Sequence, residues 1–393
     1  MAAQIEHPEA LAPEQDERGL PDLPFLLLTV LLVVIGVIML FSASYASAYA
    51  DPRIHNSAYY FVRQGGFALA GFGLMWLVSR VNYQLFRIFS FLALGVSIAF
   101  LVLVPVIGLE ENGAKRWISL GFFSFQPSEV AKVGVVLAFA AMMSAWRDRM
   151  KSLRYGVVPF VIILGVIVFL LKLEPHLSAT IIIAMTAWIM MLLGGTPKKW
   201  LVVLAVGGAL FIIWYLRHNP YSMARINAWL DPEAYASDEG YQIVQSRYAV
   251  GSGGLTGLGF GKSRQKYLYL PEEHNDYIFA IVCEELGFIG ASVIVLLFAL
   301  LVLRGYWISM HARDRFGALM SAGLITLVGL QVLLNILVVT NTLPATGISL
   351  PFFSYGGTAL WVNLIQMGMI LSVSRSNTNR MVVKRRKVRS KTR

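Results

Sequence analysis

The sequence predicts an all-α polytopic membrane protein, with ten transmembrane helices and a long extracellular loop between helices 7 and 8. Three observations predict it. Of 393 residues, 57% are hydrophobic and only 14% are charged, whereas a soluble domain is nearer a quarter charged. Ten apolar stretches are long enough to cross a hydrocarbon core of ~30 Å, which takes ~20 residues of helix. Those stretches are continuous rather than alternating in tens, so they do not read as barrel strands.

The predicted spans are 24–48, 59–79, 84–107, 127–146, 155–173, 177–195, 199–216, 277–303, 316–340 and 355–374. Residues 1–23 are polar, acidic and proline-bearing. They lack the basic start and short apolar core of a signal peptide, and read as a disordered cytoplasmic tail. Residues 24–374 form the membrane domain. Residues 375–393, with the run KRRKVR, read as a basic cytoplasmic tail. Cations of short loops mark the cytoplasmic side. Arg147, Arg149, Lys151 and Arg154 fall in one such loop, Lys198 and Lys199 in a second, and Arg304, Arg313 and Arg315 in a third. With ten spans, these loops and both tails share that side.

Composition also excludes functions. A single cysteine, Cys283, lies inside an apolar run, which leaves no disulfide framework and no CxxC metal site. Six scattered histidines do not suggest a His-ligated metal. The net charge of +11 has no accompanying basic-aromatic platform for nucleic acid, and fits loops beside anionic headgroups. The outer segment 217–276 is long for a connection in a compact bundle and carries GSGGLTGLGFGKS. That cluster lacks the strand–GxxxxGK[ST]–helix context of a phosphate loop.

Ionisable groups at membrane depth point to function by default. Arg63 and Gln64 sit near the outer end of the second span, and Lys115, Arg116 and Trp117 just beyond the third. Gln126-Pro127-Ser128-Glu129 opens the fourth, with Lys132 one turn further. Proline and an acid suit a first helical turn, and Glu129 and Lys132 are spaced to pair. Taken alone, that motif also reads as a well-built helix start. Asp276 is equally divided between an N-cap and a chemical role. Glu284 and Glu285 read as partners for cations inside the bundle. Lys172, Glu174 and His176 suggest local pairing around a turn, and Gln331 and Asn335 interhelical hydrogen bonds. Together, the acids and cations at the outer face suit a phosphate or pyrophosphate beside a carboxylate that works on a hydroxyl. An enzyme acting on a polyprenyl-pyrophosphate substrate and a transporter both fit that set.

The motifs narrow the choice. LPATGISLPFFSYGG (343–357) closely resembles the signature of the SEDS family of FtsW, RodA and SpoVE proteins. So do YYFVRQ (59–64), GAKRWISLG with FQPSEVAK (113–132), the glycine cluster, and LPEEHNDYIFAIVCEELGF (270–288), in the family's order along nearly the whole chain. The wording GISLPF is closer to the FtsW/SpoVE branch.

The resemblance implies a peptidoglycan glycosyltransferase of the bacterial plasma membrane, which polymerises lipid II and releases undecaprenyl pyrophosphate. It further implies a class B penicillin-binding protein as partner, with other divisome or elongasome proteins. It makes Asp276 the essential aspartate. On this reading Arg63, Arg116, Lys132 and Lys266 hold pyrophosphate, Glu129 orients Lys132, and Gln245, Arg247 and Glu272 shape the sugar pocket. A divalent Mg²⁺ or Mn²⁺ is compatible with the pyrophosphate; no organic cofactor is expected. Ser354, Gly356 and Gly357 would shape the start of the tenth span. His176 stands where many members have an aspartate, so no catalytic role is assigned there. Thr340 to Pro344 also departs from the family wording. The competing classes are a lipid II flippase and a non-catalytic scaffold for the transpeptidase.

Overall fold

The computed structural model describes residues 19–391 except 112–113, 120, 122–123, 175 and 239. The expected N-terminal tail lies outside the described residues up to position 18. The first helix, α1 (Leu23–Ala50), is capped by Asp22, whose carboxylate accepts from the Phe25 amide at 3.0 Å. Next come α2 (Tyr59–Arg80), α3 (Tyr83–Ile88) and α4 (Ser90–Ile107). The single third span expected from the sequence is thus two helices. Asn82 caps α3 through its side chain, and Phe89 leaves helical geometry at φ −89°, ψ 6°. Hydrophobicity is continuous across that break, so the sequence does not reveal it.

A second departure follows α4. Three short strands, β1 (Leu109–Glu111), β2 (Ala114–Ser119) and β3 (Ser124–Phe125), form an antiparallel sheet in the order β1-β2-β3. Pairs such as Leu109–Trp117 and Ile118–Phe125 set its register. The strands lie between spans and are too short for a pattern to register.

Helix α5 (Pro127–Trp146) runs through the middle of the bundle, with nearly every side chain from Ser128 to Ser144 buried. It packs on α4, on α8 (Leu177–Leu193) and on α13 (Arg315–Val339). Between α5 and α8 come α6 (Leu153–Gly156) and α7 (Val158–Leu173). Helix α9 (Lys198–His218) is the opposite of α5: Leu201 is its one fully buried side chain. The long segment 217–276 is more ordered than a loop. It contains α10 (Pro220–Leu230) and α11 (Tyr241–Ser252).

Helix α12 (Ile278–Met310) carries a kink at Gly287, which takes φ 66°, ψ −171°. An added Cβ there would lie 2.2 Å from the Gly257 amide, so α12 and the glycine cluster meet backbone to backbone. The last helix, α14 (Gly357–Lys391), packs along α2 and extends past the expected boundary at 374. Between α13 and α14 lies a buried loop, with Ile348, Leu350, Phe352, Phe353 and Ser354 all inside. A Cβ on Gly36 would meet the Phe352 carbonyl at 2.3 Å, so α1 seats directly against this loop. Among the described residues, nine helices are long and apolar enough to cross a membrane, and Leu177–Leu193, at 17 residues, is shorter.

Candidate functional site

Charged residues of separate stretches converge on one cavity of about 580 Å³, within the usual range for ligand sites. Arg63 reaches it from α2, Arg116 from β2, and Glu129 and Lys132 from α5. Glu272 and Asp276 enter from the segment before α12. These six were candidates from the sequence. The structure adds Arg225 from α10, His176 at the start of α8, and Gln331 from α13. Arg225 also donates to the Ala345 carbonyl at 3.2 Å. It lies in the long segment 217–276, and the folding of α10 directs it inward.

Asp276 is fixed through its backbone. The Asn335 amide group donates to the Asp276 and Ile348 carbonyls, both at 2.7 Å. Ser354 Oγ donates to the Asn275 carbonyl at 2.7 Å, and the Tyr355 amide to the His274 carbonyl at 2.9 Å. Gln64 donates to the Ser354 carbonyl at 3.1 Å. The 274–276 strip is thereby bound to the 343–356 loop. Asn335, read from the sequence as an interhelical bond, instead joins two loops. Gly347 takes φ 70°, and a Cβ on it would stand 3.1 Å from Asp276 Oδ2. Glycine is required here for both its backbone and its lack of bulk.

Burial pushes the Asp276 carboxyl up to about 6; the nearby Glu272 adds to the rise, while Arg225, Arg116 and His274 oppose it. Such a carboxyl is ionised near neutrality yet basic enough to accept a proton. Burial lowers His176 to about 3, helped by Arg116 and Lys132, so its imidazole is neutral. Glu174 lies close by and burial raises it to about 8 against the pull of Arg116. Its carboxylate oxygens have no hydrogen-bond partner among the described residues, so the local pairing expected around this turn is not formed. Arg116 Nε instead donates to the Glu174 main-chain carbonyl at 3.3 Å.

The Glu129–Lys132 pair forms as spaced, at 2.7 Å and buried. Three other candidates are placed elsewhere. Lys266 is buried outside the cavity, 3.0 Å from Glu285 Oε1, and also donates to the Gly261 carbonyl and Ser42 Oγ. An ammonium so enclosed by its own carboxylate is not available to a substrate's pyrophosphate. Arg247 is exposed, 3.9 Å from Glu233. Gln245 shares α11 with Arg247 and does not line the cavity. From α11 it is Gln242 that lines it. Among the described residues, no group of three or more His, Cys, Asp or Glu side chains is placed to hold a metal ion.

Long apolar helices and a polar cavity lined by cations and a raised carboxyl fit a multi-pass membrane protein. The chain belongs to the FtsW/RodA/SpoVE family, described as "Cell cycle protein", which it matches over residues 23–379. It is 39% identical over 356 residues to a probable peptidoglycan glycosyltransferase FtsW of Geobacter sulfurreducens, covering 90% of this chain and 95% of the relative. It is also 39% identical over 357 residues to the stage V sporulation protein E of Bacillus subtilis, covering 90% and 97%. Among solved structures it resembles a chain of a peptidoglycan synthase complex that coordinates polymerization and crosslinking. The TM-score is 0.77 at 27% identity, over 91% of this chain and 98% of that one. The rod shape determining protein RodA of Thermus thermophilus superposes with a TM-score of 0.68 at 26% identity, over 93% and 99%.

Proposed function

We propose that the protein polymerises lipid II, with Asp276 as the general base. The observation that carries this reading is the raised, half-buried Asp276 carboxyl at a cavity it shares with Arg63, Arg116 and Arg225. The relatives named as peptidoglycan glycosyltransferases support the reaction class.

Ionised Asp276 takes the proton from the 4-hydroxyl of the acceptor N-acetylglucosamine. The oxygen forms its new bond to C1 of the donor N-acetylmuramic acid. The bond from C1 to the carrier pyrophosphate breaks, and undecaprenyl pyrophosphate leaves with the electron pair. A β-1,4 linkage results, with inversion at C1. Arg116 and Arg63 neutralise the leaving pyrophosphate by charge-assisted hydrogen bonds. Lys132 adds positive potential while Glu129 fixes its orientation. His176, being neutral, adds a hydrogen-bonding group without charge.

The proposal extends to assembly and placement. Ten crossings, with Leu177–Leu193 as one of them, put both chain ends on the cytoplasmic side of the plasma membrane and the cavity at the outer leaflet. The likeness to a chain of a peptidoglycan synthase complex favours a class B penicillin-binding protein as partner.

Asp276→Asn should insert and fold normally, and should form no glycan from purified lipid II in detergent. Near-normal polymer from that variant would overturn the assignment. Polymer made by the unmodified chain in detergent, where no leaflets exist, would also separate an enzyme from a flippase.

A further inference from the structure

We propose that Tyr60, His274 and Tyr355 form an aromatic corner that receives a pyranose ring, the ring whose hydroxyl faces Asp276. The inference rests on the polymerase reading and adds where the acceptor sugar lies.

The three side chains come from three separate stretches: the start of α2, the strip before α12, and the end of the buried 343–356 loop. All three line the cavity and are half-buried. The Tyr60 and His274 rings lie 4.6 Å apart with a tilt of 31°. Tyr355 is set across Tyr60 at 4.8 Å and 78°, and lies 6.2 Å from His274. Two mutually tilted rings and a third set across them make a corner, not a flat plate. The backbone bond from the Tyr355 amide to the His274 carbonyl, at 2.9 Å, holds it together.

Packing alone does not account for this cluster. Aromatics packed in the core are enclosed, as Phe353 and Tyr277 are at 0% and 2% exposure. The corner instead leaves ring surface on a cavity whose other walls carry Arg63, Arg116, Arg225 and Glu272. Those walls suit phosphates and hydroxyls but not an apolar face. A pyranose has both: a rim of hydroxyls and a face of C–H bonds. The C–H groups carry slight positive charge and favour the negative face of an aromatic ring. His274 is two residues before Asp276, so a sugar stacked on the corner keeps its hydroxyl rim within reach of that carboxylate. A pyrophosphate belongs on the cationic walls, which separates the acceptor ring from the donor's leaving group.

The test uses the purified full chain and a soluble, lipid-free oligosaccharide of alternating N-acetylglucosamine and N-acetylmuramic acid, with binding followed by saturation-transfer NMR. Tyr60→Phe should bind like the unmodified protein. Tyr60→Leu and Tyr355→Leu should each lose about tenfold in affinity, the scale of one aromatic contact. The same Leu variants should raise KM for lipid II more than they lower kcat. Asp276→Asn should do the reverse, keeping oligosaccharide binding while losing turnover. If both Leu variants bind the oligosaccharide normally, the corner is not a sugar site. If they lose binding of sugar-free undecaprenyl pyrophosphate instead, the corner belongs to the carrier and the inference fails. If the Leu variants lose the oligosaccharide but Asp276→Asn still polymerises, the corner stands and the polymerase mechanism falls. Melting curves identify a variant that does not fold. Tyr355→Leu then replaces Tyr60→Leu as the deciding case.

Discussion

Asp276 ties the chemistry to pH. Its carboxyl is lifted to about 6, first by burial and then by Glu272. In the proposed mechanism it acts as an ionised base, so the acid limb of the pH–rate profile should fall near pH 6 instead of near 4. Glu272→Gln removes the second cause and should move that limb to lower pH, which a kcat/KM profile would detect. The sign for stability is opposite. Between its ordinary value of 3.8 and about 6, the folded state keeps a proton that the unfolded state has lost. Stability therefore falls as pH rises through that window, and Asp276→Asn should melt higher than the unmodified protein at neutral pH while losing activity. Gly347→Ala should also act at this site. Its Cβ would crowd Asp276 Oδ2 at 3.1 Å, on a backbone at φ 70°. A loss of turnover with lipid II binding retained is the expected result. The motif singles out Asp276, and the structure sets it on the cavity. Its surroundings were not legible in the sequence, because Arg225, Gly347 and Asn335 are 51, 71 and 59 positions away along the chain.

At the scale of elements, one clamp holds the glycine-bearing segment to α12. Glu284 accepts from Ser263 Oγ and from the Arg264 and Gln265 amides, and Glu285 from Ser42, Lys266 and the Ser263 amide. The two acids were read from the sequence as partners for cations in the bundle; Lys266 is that cation for Glu285, whereas the partners of Glu284 among the described residues are hydroxyls and backbone amides. What the sequence concealed was the pairing itself: Lys266 and Glu285 are brought together only when 253–266 folds back on α12. Lys266→Met would leave a buried carboxylate without its counter-charge. Breaking such a pair typically costs about 3–5 kcal/mol, and thermal unfolding in detergent should register a loss of that order. Because Lys266 lies outside the cavity, protein that remains folded should bind lipid II with little change in KM.

The whole molecule was the most legible scale. Continuous apolar runs located every long helix, since length and hydrophobicity are local properties. The small sheet, the break at Phe89 and the helices within 217–276 were missed, because each depends on contacts or caps that hydropathy does not record. Burial also differs sharply among the helices, with α5 enclosed and α9 almost bare. Polar substitutions in α5 should therefore unfold the bundle, and apolar exchanges in the middle of α9 should be nearly neutral, as a comparison of melting temperatures would show.

The two ends of the bundle's chain touch. Gly19 and Arg375 exchange hydrogen bonds, from the Gly19 amide to the Arg375 carbonyl at 3.2 Å and from Arg375 Nε to the Gly19 carbonyl at 3.1 Å. Beside them Asp22 accepts from Arg304 Nε and its terminal nitrogen at 2.9 and 2.7 Å. A thread that begins and finishes at one point on the same side of a sheet must pierce it an even number of times. Nine is odd, so parity favours the 17-residue α8 as a tenth passage. Cysteines placed at 176 and 195 should then react with an impermeant label from opposite faces of a sealed vesicle.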